Sequence, residues 1–185
     1  MLPAGAVPAI KLLGGAVILA GDTPLGGPAA HRHRLALLAV LTASDRPVSR
    51  DKLIALLWPG SDEEQGRNSL KTAVHELRKV IGEDAIRTIG DQLSLDLTLI
   101  RCDVSDFRIS VAAHDAERAV SLYAGPFLDG FYLKQAPEFE HWADAERTRL
   151  ATAYAHALDQ LATSAEQRGD PKAAVRWWRD RKSVV

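Results

Sequence analysis

The chain has 185 residues, 46% of them apolar, and a formal net charge of −1 at pH 7. That is enough for one large or two small domains with a real core. It excludes any case for nucleic-acid binding made from overall charge. Residues 1–101 carry 12 Lys+Arg against 11 Asp+Glu, and residues 102–185 carry 11 against 13, so recognition by charge has to be local. The single cysteine, Cys102, excludes an intramolecular disulfide and a multi-cysteine metal site, and reads as a small apolar residue near a domain junction. The apolar run over 4–20 is interrupted by Pro8, Lys11, Gly14 and Gly15, with no basic residue before it. Neither a membrane span nor a signal peptide is expected, and the chain fits the cytoplasm.

Ile10–Leu13 and Ala16–Leu19 are short apolar runs either side of Gly14-Gly15, which predicts a strand, a turn and a strand. A third short strand is expected near Thr23–Leu25, before Gly26, Gly27 and Pro28 break the pattern. The glycines lack the spacing of a phosphate-binding loop. His31–Ala43 has helical spacing. His31 and His33 are two apart, do not share a helix face and have no third ligand nearby, so no metal is expected there. Arg32 and Arg34 mark a solvated, mildly basic helix start, with a phosphate contact as the alternative.

Arg46-Pro47-Val48 is an extended connector. Ser49 is placed to cap a helix that carries Asp51 in its first turn and Leu53, Ile54, Leu56 and Leu57 on one face. Trp58 closes that helix and Pro59-Gly60 stops it. Ser61 and Glu64 have capping-box spacing for the next helix. Gly66 weakens its first turn, so the regular helix is expected from about Arg67.

Leu70, Ala73, Val74, Leu77, Val80 and Ile81 form the buried stripe of that helix. Its other face shows Arg67, Asn68, Lys71, Thr72, His75, Arg78 and Lys79, with Glu76 the one acid. From Arg67 to Lys79 the balance is four basic residues against one acidic, or +3. Short polar groups and bidentate donors on a two-faced helix suit entry into a DNA major groove. A hairpin comes next: Ala85–Ile89, a Gly90-Asp91 turn, and Leu93–Leu97. Arg87 on it is placed to touch a phosphate.

The run RPVSRDKLIALLWPGSDEEQGRNSLKTAVHELRKVIG resembles the winged-helix domain of bacterial activators of the antibiotic-regulatory-protein (SARP) type, which are related to the OmpR/PhoB winged helix. IKLLGGAVILAGDTPL resembles that family's first strands. The resemblance implies an α+β winged helix–turn–helix over residues 8–101, with the helix from about Arg67 to Ile81 in the major groove. Arg67, Asn68, Lys71, Thr72, His75, Arg78, Lys79 and Arg87 are the candidate DNA-binding residues.

From Asp103 the pattern is helical: Val104–Ala113, Ala116–Tyr123, and a long helix over Arg147–Gln167 that starts near Glu138–Trp142. Asp170 and Pro171 then cap a helix over Lys172–Arg179. YAGPFLDGF and PEFEHWADAERTRL resemble the bacterial transcriptional activator domain (BTAD) of the same family, an all-α, tetratricopeptide-like unit, here over 102–179. Phe127, Phe131, Tyr132, Phe139 and Trp142 read as core and inter-helix packing. The last six residues, 180–185, show no helical logic and can be encoded by a common sequencing-adapter sequence. They read as a non-native tail on a truncated activator domain, which would expose Trp177 or Trp178.

The function implied is sequence-specific DNA binding by a transcriptional activator. The first helices and the wing would anchor phosphates, and the chain would bind promoter repeats in pairs and contact RNA polymerase. The alternative is a helical-repeat scaffold that does not read DNA. No nucleophile–base pair or elbow motif argues for an enzyme, and neither a metal nor another cofactor is expected.

Overall fold

The computed structural model describes residues 7–27 and 31–182. The break expected at Pro28 and the tail residues 183–185 lie outside them.

Two small sheets, seven α-helices and a 3-10 turn at Glu83–Ala85 make up the described fold. Strands β1 (Pro8–Lys11), β2 (Val17–Ala20) and β3 (Thr23–Pro24) form an antiparallel meander. A strand that the sequence pattern does not announce, β7 (Arg101–Cys102), joins β1 in parallel and gives the order β3-β2-β1-β7. Helix α1 (Arg32–Ala43) is buried continuously from Leu35 to Thr42, which explains its nearly all-apolar sequence. The extended connector after Pro47 becomes strand β4 (Val48–Ser49), which pairs with Leu93 and Gln92. Strands β5 (Ile86–Ile89) and β6 (Gln92–Leu95) form the wing hairpin, in a second sheet of order β4-β6-β5. Gly90 takes φ +60° at the first position of its two-residue turn, a conformation that suits the twist of a tight hairpin.

Helix α2 (Arg50–Leu57) starts as expected, with the Ser49 hydroxyl accepting from the Lys52 backbone N–H at 3.3 Å. Helix α3 (Glu63–Ile81) corrects two expectations. Its cap is Asp62 rather than Ser61: the Asp62 carboxylate accepts from the Gln65 N–H at 2.8 Å. An ionised acceptor at the positive end of a helix makes the stronger bond. Nor does Gly66 delay the helix. It is buried inside the first turns, and a Cβ placed on it would lie 2.5 Å from Ile54 Cγ2. The glycine is there because α2 and α3 approach closely, and that contact outweighs its poor helix propensity.

Helices α4 (Asp103–Ala112) and α5 (Ala116–Leu122) form one antiparallel pair, and α6 (Pro137–Gln167) and α7 (Pro171–Lys182) another. Pro137 occupies the first turn of α6, and the Asp170 side chain accepts from the Ala173 N–H at 3.0 Å to cap α7. Asp180–Lys182 continue α7 instead of leaving it. Arg and Lys are good helix formers, and Arg181 pairs with Asp159 on α6 at 3.2 Å.

One hydrophobic cluster runs from Ile10 in β1 through α1–α3 into α4, the 127–136 loop and α6 as far as Ala157. Several polar contacts tie the N-terminal hairpin to the helical half of the chain. The buried Asp103 carboxylate accepts from the backbone N–H groups of Leu12 (2.9 Å), Leu13 (3.0 Å) and Val104 (2.8 Å). The Gly14 N–H donates to Pro126 O at 2.9 Å and the Leu128 N–H to Leu12 O at 2.8 Å. A Cβ on Gly125 would lie 2.9 Å from Gly14 Cα. Phe127, Phe131 and Phe139 are buried and Trp142 is half-buried. Tyr132 is not core: it is half exposed, and the Arg32 guanidinium lies over its ring at 5.1 Å while donating to its carbonyl at 2.7 Å. Among the described residues no helix is long and apolar enough to cross a membrane.

Candidate nucleic-acid interface

Helix α3 buries Gly66, Leu70, Ala73, Val74, Leu77 and Ile81. Burying a Leu, Val or Ile of this kind contributes roughly 1.5–3 kcal/mol each. With that stripe fixed, steps of one residue per 100° turn Asn68, Thr72, His75 and Lys79 outward. Lys71 and Arg78 fall on one flank of this face, and Ser69 and Glu76 on the other.

The structure sorts the eight candidates by what they already hold. Asn68, Lys71, Thr72 and His75 are exposed. Among the described residues no hydrogen bond or ion pair engages the Asn68, Lys71 or Thr72 side chains. Arg67 pairs with Glu63 at 2.7 Å and Lys79 with Glu76 at 3.0 Å. Such exposed pairs within one helix are worth little and open readily. The Glu76 carboxyl is held below the usual carboxylate range by its hydrogen bond from Lys79, with Arg34 and His75 adding to the effect.

Arg78 reaches the wing from α3, and Arg87 lies on the wing itself. Arg78 is only partly exposed, and its guanidinium donates to Ile86 O through Nη2 at 2.6 Å and Nε at 3.2 Å, and to Thr88 Oγ1 at 3.2 Å. It braces α3 against β5. Arg87 forms an ion pair with the buried Asp96, whose carboxylate also accepts from the Thr98 hydroxyl at 2.7 Å and its N–H at 3.0 Å. Those Thr98 bonds, then Arg87, keep the Asp96 pKa below the ordinary range. The Arg50 N–H donates to Asp91 O at 3.0 Å, tying the start of α2 to the wing turn. The +3 of α3 is thus partly neutralised at close range, and Lys71 is its exposed cation with no ion pair among the described residues.

On the α1 flank lies a recess of about 360 Å³ between α1, Trp58 and α3, lined by His31, His33, Asn68, Ser69 and Thr72 among others. The His33 ring stacks on Trp58 at 5.3 Å and 13°, and the His31 ring lies 5.8 Å from that of His33. Burial, then the His31 charge, pushes the His33 pKa down, against a hydrogen bond to the Leu57 backbone. No sequence signal marks this grouping, because its parts come from three elements and share no periodicity. Cys102 is buried with its thiol pushed up to about 12 by desolvation, as a packing residue would be.

No protein-family model matches the chain. Among solved structures, Mycobacterium tuberculosis EmbR in complex with a low-affinity phosphopeptide superposes with a TM-score of 0.57. It is 22% identical, over 96% of this chain and 56% of that one. The chain shares the EmbR fold. This bears out the α+β plus all-helical fold class in outline: small sheets with a helix–turn–helix and wing, then helical pairs. An uncharacterized 47.3 kDa protein in the thcA 5′ region of Rhodococcus erythropolis is 30% identical over 148 residues, which cover 77% of this chain and 32% of that protein. The present chain therefore spans about a third of that relative and just over half of EmbR.

Proposed function

We propose that the chain is a sequence-specific DNA-binding transcriptional regulator, with α3 inserted in the major groove. The observation that carries this is the outer face of α3: Asn68, Lys71, Thr72 and His75 stand exposed while Arg78 fixes the adjacent wing. Asn is suited to bidentate pairing with adenine, and Lys to a phosphate or guanine. The resemblance to SARP-type activators supports the same reading, as does the fold shared with EmbR, a regulator of that type. In this reading residues 8–101 are the DNA-binding unit and 102–179 belong to an activator domain. The protein acts in the cytoplasm, pairs on promoter repeats, contacts RNA polymerase and catalyses no reaction.

Selection of bound duplexes from a random-sequence pool tests the proposal. The expected result is one enriched motif whose affinity exceeds that for scrambled duplex by about 10³-fold or more at physiological salt. A pool with no enriched motif returns the chain to the alternative, a helical scaffold that reads no DNA.

A further inference from the structure

We propose that the recess between α1, Trp58 and α3 receives a backbone phosphate of the bound duplex, with His31 and His33 as donors to it. This rests on the DNA-reading proposal and adds a site to it. The recess borders the outer face of α3 on the side opposite Lys71, and Asn68 and Thr72 belong to both. A helix lying in a major groove has a phosphate strand along each side. Lys71 is placed for one strand and the recess for the other.

The lining suits an anion. Two imidazoles, a carboxamide and two hydroxyls converge there, and no carboxylate is among the lining residues. The acid on this side of α3, Glu76, is bonded to Lys79 and lies in the fields of Arg34 and His75. The ionisable groups at the recess are thus His31 at the cap of α1, His33 and Arg34 within α1 and, beyond its edge, Glu76 from α3. The end of α2 adds the Trp58 ring and the Leu57 carbonyl. A metal fits less well, since among the described residues no three His, Cys, Asp or Glu groups converge.

Trp58 holds the His33 ring in place, so an incoming phosphate meets a partly ordered donor rather than a free side chain. Its pKa is depressed in the free protein, and phosphate binding would raise it, so binding takes up protons. Affinity then climbs as pH falls through the bound-state histidine pKa, and levels off below the free-state value.

The test uses the full chain and the duplex recovered by selection, with binding followed by fluorescence anisotropy against KCl concentration and pH. His31→Gln should reduce the salt slope by about 1, with the preferred sequence unchanged. His33→Gln should do the same and also flatten the pH dependence. Because that change also removes the stack on Trp58, a methylphosphonate scan of the duplex provides a second measurement. One neutralised phosphate should weaken binding of the natural chain and cost His31→Gln markedly less. An unchanged slope in His31→Gln with an unchanged pH profile in His33→Gln, or a scan in which every phosphate affects the natural chain and His31→Gln alike, overturns the recess while leaving sequence-specific binding intact. Equal affinity for the selected motif and for a phosphopeptide would also overturn it. Failure to enrich any motif would instead defeat the underlying DNA reading.

Discussion

Asn68 and Lys71 sit three positions apart on α3, yet the chemistry of their side chains separates them. A lysine on the flank of a groove-bound helix is a point charge for a phosphate. Lys71→Ala should lower the salt slope of binding by about 1 and leave the preferred sequence intact. Asn68→Ala should instead cost roughly 1–3 kcal/mol at one base pair, seen by measuring affinity across single-position variants of the duplex. Arg78, which looks like a base reader from sequence, has its guanidinium on Ile86 O and Thr88. Arg78→Ala should therefore weaken all sequences alike and speed amide exchange in β5 and β6, and lysine should not rescue it because it lacks the planar fork. A loss confined to one base pair would make it a reader after all. Asp103 is a structural counterpart, a buried carboxylate accepting from three backbone N–H groups. Asparagine would turn an N–H₂ toward one of those donors, and urea unfolding should report a loss of about 1–3 kcal/mol. Burial raises the folded-state pKa of Asp103 despite those bonds. Its contribution is therefore full below the ordinary aspartate value and declines as pH rises through the raised one, a decline that Asp103→Asn should lack.

Helices are readable in this sequence because their signals are local and repeated: the α3 stripe, the Ser49 cap and the Pro59-Gly60 stop all lie within a few turns. The short strands are harder. β4 and β7 are two residues each, and they exist through pairing with distant partners, Val48 with Leu93 and Arg101 with Ala9. The ends of side chains are hardest. Periodicity places Arg78 and Arg87 on the surface but cannot show that wing groups already hold them. Gly66 marks the same boundary, since its low helix propensity reads as a weakness until Ile54 is seen against it. Gly66→Ala adds a methyl where 2.5 Å separates it from Ile54 Cγ2. Forcing α2 from α3 should cost about 1–3 kcal/mol in urea unfolding. Pairing it with Ile54→Ala should recover part of that loss, whereas additive losses in the double variant would show that the two sites do not meet.

Over the whole molecule the fold has two zones of packing. The continuous cluster joins the sheets, α1–α3, α4, the 127–136 loop and α6 as far as Ala157. It runs across residue 101, where Asp103 and the Gly14–Gly125 approach hold the N-terminal hairpin against the helical half. Beyond it, Leu158, Leu161, Ala162, Ala165 and Ala174 are buried between the end of α6 and α7 but do not belong to that cluster. α7 lies along the end of α6 but buries few of its side chains: Ala174 is its one fully buried residue among those described, Trp178 bonds Glu166 at 3.0 Å, and Arg181 reaches Asp159. Val175 and Trp178 remain exposed. A helix with so little buried surface opens at a lower free energy than the core it leans on. Native-state hydrogen exchange should therefore show α7 and the last two turns of α6 opening together, well below the global unfolding free energy. Amides of β1, α1, α3 and α4 should exchange only with global unfolding, because one core serves them all. Exchange of α7 at the same free energy as α1 would mean that the second zone is no weaker than the first. Exchange of α4 well below α1 would mean that the two halves of the chain unfold independently despite their shared core.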